Sequence, residues 1–530
     1  MPEIQQEAES VKGPAWAILA EAIDARLNPV LVKDIRCWLR SKKFLVVFFL
    51  GSAAALTATL AFIPLAALQP SAGRTLFGVL VTGLGFVLGG IVPFLIQNEF
   101  SEEFASGSTE LALISRMTPA QLVRGKILSG LLAALLFFSA VGPSLAIAYL
   151  LGGISILEVA YTIAALLFFS TLSTLLSVLA IAIVGAKGGR LVGLLPLISG
   201  FLIAAFETLI VFQGPGRVMQ DKEFWLINGF FGSYLALVGL FLYAVATSRL
   251  SFPADNRDLW PRLTLTLVTG YSFAAIALMP WFYRLLGASS GPGREAYLVA
   301  MYGSMITFFI GCFFILNTAQ RLSMRVVSRW PRSTLWALFF YPGTGRLYAY
   351  LFLHMLAFIA AGLGCTDFRE LLIVEGAVLC GFTLFGAGFL VHSLFQRIGR
   401  EFSREIVVAV TAIAWTVVGV VISSVSMVMG GPEEVFLVNP LLAVGFLTDS
   451  RSSLGPTENR FLITVLVLSP VLVPTLVLWA KEVAKALAED YDINLKRTVQ
   501  QKIARKKAAE AAAKEKAAEA AQKEKADASA

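Results

Sequence analysis

Residues 44–68 read FLVVFFLGSAAALTATLAFIPLAAL, an unbroken apolar run without a single charged side chain. A helix needs about 20 apolar residues to cross the hydrocarbon core of a bilayer, so this run is long enough to span a membrane. Lys42 and Lys43 precede it directly, and basic residues at the edge of an apolar run are typical of a cytoplasmic helix end. The run therefore predicts a first transmembrane helix that enters from the cytoplasm.

Eleven further apolar runs follow along the chain. These eleven runs are 75–96, 127–151, 157–185, 191–213, 224–247, 263–287, 297–318, 347–364, 372–395, 406–429 and 461–480, which with 44–68 makes twelve. The run at 347–364 is short, and the last run contains Pro470 and Pro474, which membrane helices tolerate as kinks. The pattern predicts an all-α, polytopic helical membrane protein with about twelve transmembrane helices.

The composition of the whole chain agrees with this fold class. Hydrophobic residues make up 57% of the 530 residues and charged residues 15%, whereas soluble domains carry roughly 25% charged residues. Soluble enzymes, disordered chains, collagens and disulfide scaffolds are excluded by these figures. The net charge of +8 does not indicate a nucleic-acid partner, because the basic residues lie between the apolar runs and in the C-terminal tail.

The distribution of the basic residues predicts the orientation. With the N-terminus inside, 35 of the 43 Lys and Arg fall in cytoplasmic segments, which is the asymmetry of a cytoplasmic (inner) cell membrane protein. We expect both termini in the cytosol, an even number of spans, and no secretory signal peptide. The predicted domains are a cytosolic N-terminus (1–43), a first six-span half (44–250), a second and more divergent six-span half (251–480), and a solvated Lys/Ala/Glu-rich helical tail (481–530).

The segment before the first run predicts an interfacial elbow helix. Asn28 is a good N-cap and Pro29 fits the first helical position. At 100° per residue, one side of the helix is basic and the opposite side is apolar, which is typical of a helix lying in the membrane interface. The basic stripe is Lys33, Arg36, Arg40 and Lys43, and the apolar face is Leu31, Ile35, Trp38 and Leu39.

The segment 97–126, between the second and third runs, predicts an organised surface with two short helices. Glu99, Glu102 and Glu103 extend the second run as an acidic cytosolic turn, and a break follows at Gly107-Ser108-Thr109. A short amphipathic helix is expected from Glu110 to Ser115. Thr118-Pro119-Ala120-Gln121 has the pattern of a capping box with proline at the first helical position, which would begin the third span.

These two segments carry a resemblance to a known family. The stretch Asn28 to Arg36, including Lys33 and Asp34, resembles the elbow of the permease subunits of type-2 ABC transporters. The pattern of Glu110, Thr118-Pro119 and Gly125-Lys126 is similar to the segment by which those subunits couple to their ATPase. That family usually has Gly-Thr where Gly107-Ser108-Thr109 stands here. The layout of six spans over 28–250 also agrees, with an external excursion at 214–223.

The resemblance implies a partner and a mechanism. The chain would be the membrane permease of an ATP-driven exporter, working by alternating access with a separate ABC-type ATPase, expected in two copies. The coupling residues would be Glu99, Glu102, Glu103, Gly107, Ser108, Thr109, Glu110, Thr118 and Pro119. The chain could form the whole pathway or pair as a homodimer. In the second half, Pro342 precedes its span as Pro119 does, but arginines replace the acidic residues of the 319–346 segment.

No catalytic or metal site is expected in this chain. The sequence has no glycine-rich phosphate-binding loop of the NTPase type, so ATP would be bound and hydrolysed by the partner subunit, and no cofactor is expected here. Two histidines and four scattered cysteines give neither metal-ligand nor disulfide spacing. No nucleophile and base are paired in a recognisable pattern, so we do not expect an enzyme.

Few charged side chains lie inside the apolar runs, where charge is costly and often functional. Glu158, Arg284 and Glu375 lie near the outer ends, where they are expected to reach water. Glu207 and His354 lie deeper, so each is either part of a substrate path or a satisfied interhelical hydrogen bond.

Two other function classes remain open from the sequence. An ion-coupled secondary transporter would favour paired carboxylates or broken helices at the midplane. A membrane enzyme such as a lipid-linked transferase would need charged residues in a large external or cytosolic loop. The acidic and basic residues of the largest external loop, 430–460, are too generic to indicate one.

Overall fold

The computed structural model describes residues 28–66, 72–114, 117–185, 194–212, 222–252, 255–285, 333–362 and 473–493, with isolated positions elsewhere. Over these ranges the regular elements are helical and no strand occurs. The prediction of an all-α chain is confirmed for this part of the protein.

The first nine helices cover residues up to 250. They are α1 (Pro29–Arg40), α2 (Lys42–Ala66), α3 (Ala72–Phe86), α4 (Val92–Ala105), α5 (Ser108–Ile114), α6 (Pro119–Leu150), α7 (Ile156–Val184), α8 (Leu194–Phe212) and α9 (Lys222–Leu250). A π-helical turn, Val87–Ile91, joins α3 to α4 in one continuous rod. Three further helices follow: α10 (Leu259–Leu285), α11 (Thr334–Phe340) and α12 (Thr344–Gly362), and residues 473–493 are also helical.

Five of the described helical segments are long and apolar enough to cross a membrane. They are Lys42–Pro64, Ala72–Ala105, Pro119–Leu150, Ile156–Ile183 and Phe224–Leu250. The protein is therefore built as a membrane-spanning helical protein. The predicted spans at 297–318, 372–395, 406–429 and 461–480 lie largely outside the described residues, so the number twelve stays a prediction.

The chain divides into two compact units, residues 1–251 with 270–297, and residues 252–269 with 298–530. In the first unit α7 lies at the centre and packs against α4, α6, α8 and α9. By contrast, α2 has only 11% of its apolar segment buried inside the protein. Because its apolar side chains face outward, α2 is the helix of this unit most suited to contact lipid.

The π turn between α3 and α4 is held by hydroxyl groups. Ser170 of α7 donates to the carbonyl oxygen of Leu88, and Ser173 and Ser199 both donate to that of Gly89. A π turn disturbs the regular helical hydrogen bonds, so these hydroxyls satisfy carbonyls that would otherwise lie unpaired in an apolar core. At the same place the backbones approach closely, because a Cβ on Gly200 would clash with Gly90 Cα.

Glu158 does not reach water, contrary to the expectation from its position. Its carboxylate lies 3.1 Å from Arg74 Nη2 and accepts a hydrogen bond from the Ser155 backbone N–H. Ser155 and Glu158 form a capping box at the start of α7, so the charge is used to begin a helix and to fix α3 beside it. The side chains of Arg284 and Glu375 lie outside the described residues.

Among the described residues of the second unit, two arginines are buried. Arg262 pairs with Asp258 at 2.9 Å and donates to the carbonyl oxygens of Phe339 and Tyr341. Arg346, at the start of α12, lies 2.7 Å from Asp490 Oδ1 and 3.0 Å from Glu489 Oε2. These contacts attach the start of α12 to the C-terminal helix and the start of α10 to the end of α11.

The beginning of the C-terminal tail packs one side of its helix against the start of α12. Ala486 and Asp490 are buried, and a Cβ on Gly345 would clash with the carbonyl oxygen of Glu482. The other side chains of residues 481–493 are mostly exposed, so this part of the tail is a helix with one packed side and one solvated side. Most of the Ala/Lys/Glu repeat lies outside the described residues.

Candidate functional site

Lys126 is the centre of a buried ionic cluster that joins three helices of the first unit. Its Nζ lies 3.0 Å from Asp34 Oδ1 of α1 and 3.0 Å from Glu103 Oε1 of α4. The side chains of Lys126 and Asp34 are fully buried, whereas that of Glu103 is 13% exposed. A buried ammonium group is tolerated only when it is paired, so α6 holds α1 and α4 through one cation.

Aromatic contacts surround the cluster. The indole N–H of Trp38 donates to Glu99 Oε2 at 2.7 Å, which makes a second link between α1 and α4. The ring centroid of Phe100 lies 5.6 Å from Lys126 Nζ, within the range of a cation–π contact. Burial raises the pKa of the Asp34 carboxyl above its usual value, and the nearby Lys126 opposes that shift.

The start of α1 is fixed on α6 by a cap and a close approach. Asn28 Oδ1 accepts from the Val30 N–H, and the Asn28 side-chain amide donates to the carbonyl oxygen of Gln121. A Cβ on Gly125 would lie 2.5 Å from Val30 Cβ, so only glycine fits at that position without displacing α1. The predicted N-cap at Asn28 and the proline at the first helical position are confirmed.

The two faces of α1 are not divided as the periodicity predicts. The buried side is Val30, Leu31, Asp34 and Trp38, while Leu39 is 56% exposed. Asp34 thus lies at the middle of the protein-facing side. The predicted basic stripe is exposed, with Lys33 reaching Glu103 Oε1 at 2.6 Å.

Residues 106–114, which follow α4, make a sharp turn at Gly107 and continue into a short helix. Gly107 has φ of +72°, and the hydroxyls of Ser106 and Ser108 donate to the carbonyl oxygen of Glu103. The predicted short helix is present as α5, beginning at Ser108 rather than Glu110, with Thr109 buried beneath it. The capping box predicted at Thr118 is confirmed, with both reciprocal bonds to Gln121, and it launches α6.

The outer surface of this segment, which we call the α5 surface, combines apolar and acidic side chains. Leu111 is 68% exposed and Ile114 is 72% exposed, Glu110 is exposed on the same helix, and Glu102 is exposed near the end of α4. Two large exposed apolar side chains on one helix of seven residues favour an interaction site. The arrangement can bind a partner.

The predicted site residues therefore separate into two groups. The first group lies at or around the buried ionic cluster of Lys126, which we call the Lys126 junction. Its members are Asn28, Asp34, Glu99, Glu103 and the more exposed Lys33. The second group lies between the end of α4 and the start of α6, around the α5 surface. Its members are Glu102, Gly107, Ser108, Thr109, Glu110, Thr118 and Pro119. Arg36 is exposed on α1.

Lys126 is the residue that the site prediction misses. A signal was present in the sequence: Asp34 lies four residues from both Val30 and Trp38, so it shares a helix face with apolar side chains. A lone carboxylate on such a face requires a buried cation, and Lys126 stands at the edge of the third apolar run.

The junction also has the composition of a metal site, but the chain supplies the cation. Ligand oxygens of Asp34, Glu99 and Glu103 all lie within 4.8 Å of one another. The ammonium of Lys126 lies at hydrogen-bonding distance from two of these carboxylates, so a metal ion would have to displace it. We assign the cluster to holding helices together.

The sequence assigns Glu207 and His354 each to a substrate path or to an interhelical hydrogen bond, and the structure describes the side chain of His354. The Glu207 side chain lies outside the described part of the protein. His354 is buried, and its Nδ1 lies 2.9 Å from the carbonyl oxygen of Tyr350 in the same helix. Its ring stacks on Phe308 with centroids 4.7 Å apart. These contacts explain His354 as a packed aromatic residue of the second unit.

Comparison of the chain with protein-family models, with curated proteins and with solved structures finds no match.

Proposed function

We propose that the protein is the membrane permease subunit of an ATP-driven exporter of the ABC type, acting in the cytoplasmic membrane. It would carry about twelve spans in two halves, with both termini in the cytosol. Two copies of a separate ATPase subunit would drive alternating access. The observation that carries the proposal is the α5 surface, because it places exposed Leu111 and Ile114 on a short helix between two membrane-spanning helices.

The connection between the α5 surface and the membrane helices supports a role in transmitting motion. The helix ending at Ala105 is continuous with the apolar segment that begins at Ala72, and only four residues separate α5 from α6. The Lys126 junction holds both helices to α1. A force applied to α5 would therefore act close to helices that the Lys126 cluster holds together.

The chemistry of the α5 surface supports a protein partner with a complementary face. Such a partner would offer an apolar groove for Leu111 and Ile114 and basic side chains for Glu102 and Glu110, since charge complementarity directs specificity. The absence of a phosphate-binding loop from the sequence is consistent with an ATPase on another chain. The resemblance of residues 28–36 and 107–126 to type-2 ABC permeases agrees with both points.

The proposal is tested by Leu111→Asp combined with Ile114→Asp. Both side chains are largely exposed, so the variant should insert and fold normally but lose the ATPase subunit on co-purification. ATP hydrolysis stimulated by the reconstituted chain should fall at least about tenfold, as expected for loss of a central apolar contact. Leu487→Asp, at another exposed apolar position, is the matched control. Unchanged binding and hydrolysis in the double variant would refute the proposal.

A further inference from the structure

The exposed side of α1 is a concentrated basic surface. Lys33, Arg40, Lys42 and Lys43 are all exposed, and the last two lie at the first residues of α2. Among the residues that the structure describes, Arg40, Lys42 and Lys43 have no carboxylate partner. Three of the four charges of this basic surface are therefore not neutralised within the described part of the first unit, and the fourth, Lys33, pairs with Glu103.

The position of this basic surface relative to the membrane follows from the chain. Only Ser41 separates α1 from α2, and its extended backbone, with φ of −77° and ψ of 119°, turns the chain between the two helices. Since α2 is a membrane-spanning segment with little of its surface buried in protein, α1 must lie at the membrane boundary. Leu39, which is 56% exposed on α1, offers an apolar side chain at the same level.

We propose that this basic surface binds anionic phospholipid headgroups and that Lys33 is shared between those headgroups and Glu103. Clusters of basic side chains beside a membrane helix attract anionic lipids, and the attraction increases with each cation. The inference requires only that α2 spans the membrane and does not depend on an ATPase partner.

Lys33 is suited to such sharing because its ion pair is exposed. Its side chain is 54% exposed, and it lies 2.6 Å from Glu103 Oε1. Exposed ion pairs are weak and are readily exchanged for another anion. When a phosphate takes Lys33, Glu103 keeps its fully buried partner Lys126, so the junction stays closed while the charge on Glu103 is less compensated. Lipid binding at Lys33 would then change the charge balance at Glu103, near the end of α4 and four residues before the turn at Gly107.

The chain provides its own reporter for this binding. Cys37 is exposed and lies four residues from Lys33, on the same side of α1. With Cys312, Cys365 and Cys380 replaced by alanine, a bimane fluorophore on Cys37 of the full chain would report on this surface alone. The chain is placed in nanodiscs of phosphatidylcholine with increasing proportions of phosphatidylglycerol, and the proportion giving half of the fluorescence change is measured.

Removing cations tests the binding. Lys42→Gln with Lys43→Gln should raise the half-change proportion of phosphatidylglycerol by about fivefold per cation, as expected from the attraction of one basic side chain to an anionic surface. Lys485→Gln removes an exposed cation from the C-terminal helix and should leave the proportion unchanged. An equal effect of Lys485→Gln, no response to phosphatidylglycerol, or the same response to soluble glycerol phosphate would overturn the proposal.

Removing carboxylates tests the sharing of Lys33. Glu103→Gln should lower the half-change proportion by several-fold because it releases Lys33, whereas Glu102→Gln, one residue away and without contact to Lys33, should not. Asp34 still pairs with Lys126 in the Glu103→Gln variant, so the junction is expected to persist. In a Lys33→Gln chain the added Glu103→Gln change should have no effect. Equal shifts for the two glutamates, or a shift that survives Lys33→Gln, would show that Lys33 is not shared.

Discussion

Lys126 and Asp34 form the same ion pair, but the two residues differ in what their removal leaves behind. Without Asp34, the ammonium of Lys126 still has Glu103 at 3.0 Å. Without Lys126, Asp34 is a fully buried carboxylate whose nearest cation is gone. The consequences of substitution are therefore expected to be unequal.

We predict that Lys126→Met destabilises the folded chain by about 3–5 kcal/mol, the usual cost of leaving a buried charge unpaired. Asp34→Asn should cost clearly less. Thermal unfolding of both variants in detergent provides the comparison. Equal losses would contradict the view that Glu103 serves as a second partner.

The pH dependence of Asp34→Asn follows from the raised pKa of Asp34. The folded state binds this proton more tightly than the unfolded state, so the contribution of Asp34 to stability falls as the pH rises from the usual carboxyl value of 3.8 through the raised pKa. The asparagine side chain of the variant cannot ionise, so the stability difference between the two chains should change across this range and level off above it. A difference that is constant with pH would show that Asp34 does not titrate there.

The turn between α4 and α5 requires a positive φ at Gly107, which is +72° there, and glycine adopts such a φ without strain. A Cβ at this position would meet nothing within 4 Å, so the cost of a side chain comes from the backbone alone. We expect Gly107→Val to be inserted but to lose partner binding through a displaced α5, at a cost of about 1–2 kcal/mol. Gly107→Asn, which tolerates positive φ, should retain binding. If the two variants behave alike, the turn does not position α5.

At the scale of helices, the packing of α1 on α6 depends on the absence of a side chain at Gly125. Val30 occupies the space that a Cβ on Gly125 would need. The same principle applies at Gly200 and Gly90, where α8 packs on the π turn. At both contacts the helix backbones approach so closely that one added methyl group would push the helices apart.

We predict that Gly125→Ala displaces α1, lowers stability by about 1–3 kcal/mol through overpacking, and increases the maleimide reactivity of Cys37. Gly83→Ala is the control, because a Cβ there meets nothing within 4 Å. That change should be neutral or slightly stabilising, since alanine favours helix. Equal behaviour of the two variants would mean that α1 is not fixed through Gly125.

Much of this local structure is predictable from the sequence. The cap at Asn28 and the box at Thr118 depend on residues within a few positions, and so do the bounds of the apolar helices. The pairing of Asp34 with Lys126 is not, because it joins residues 92 positions apart and depends on how α1 settles on α6. The same limit applies to Glu158, whose partner Arg74 is 84 residues away, and to Arg346, whose partners lie in the C-terminal helix.

At the scale of the whole molecule, the account rests on alternating cytoplasmic and external segments along two compact units. The asymmetry of the basic residues predicts that Gly188 is cytoplasmic and Ser453 external. Single cysteines at these positions should be labelled from opposite sides of sealed vesicles. Labelling of both from one side would mean that one of the predicted spans between them does not cross the membrane, and the short run 347–364 would be the first candidate.

The role of the α5 surface is the central claim, and cross-linking in native membranes tests it most directly. A photoreactive amino acid at Leu111 should form an adduct with an ATPase subunit that carries a phosphate-binding loop. The same group at Leu202, which is 61% exposed in the apolar helix α8, should form none. Adducts of Leu111 only with lipid, or with a protein that lacks such a loop, would contradict the proposed function.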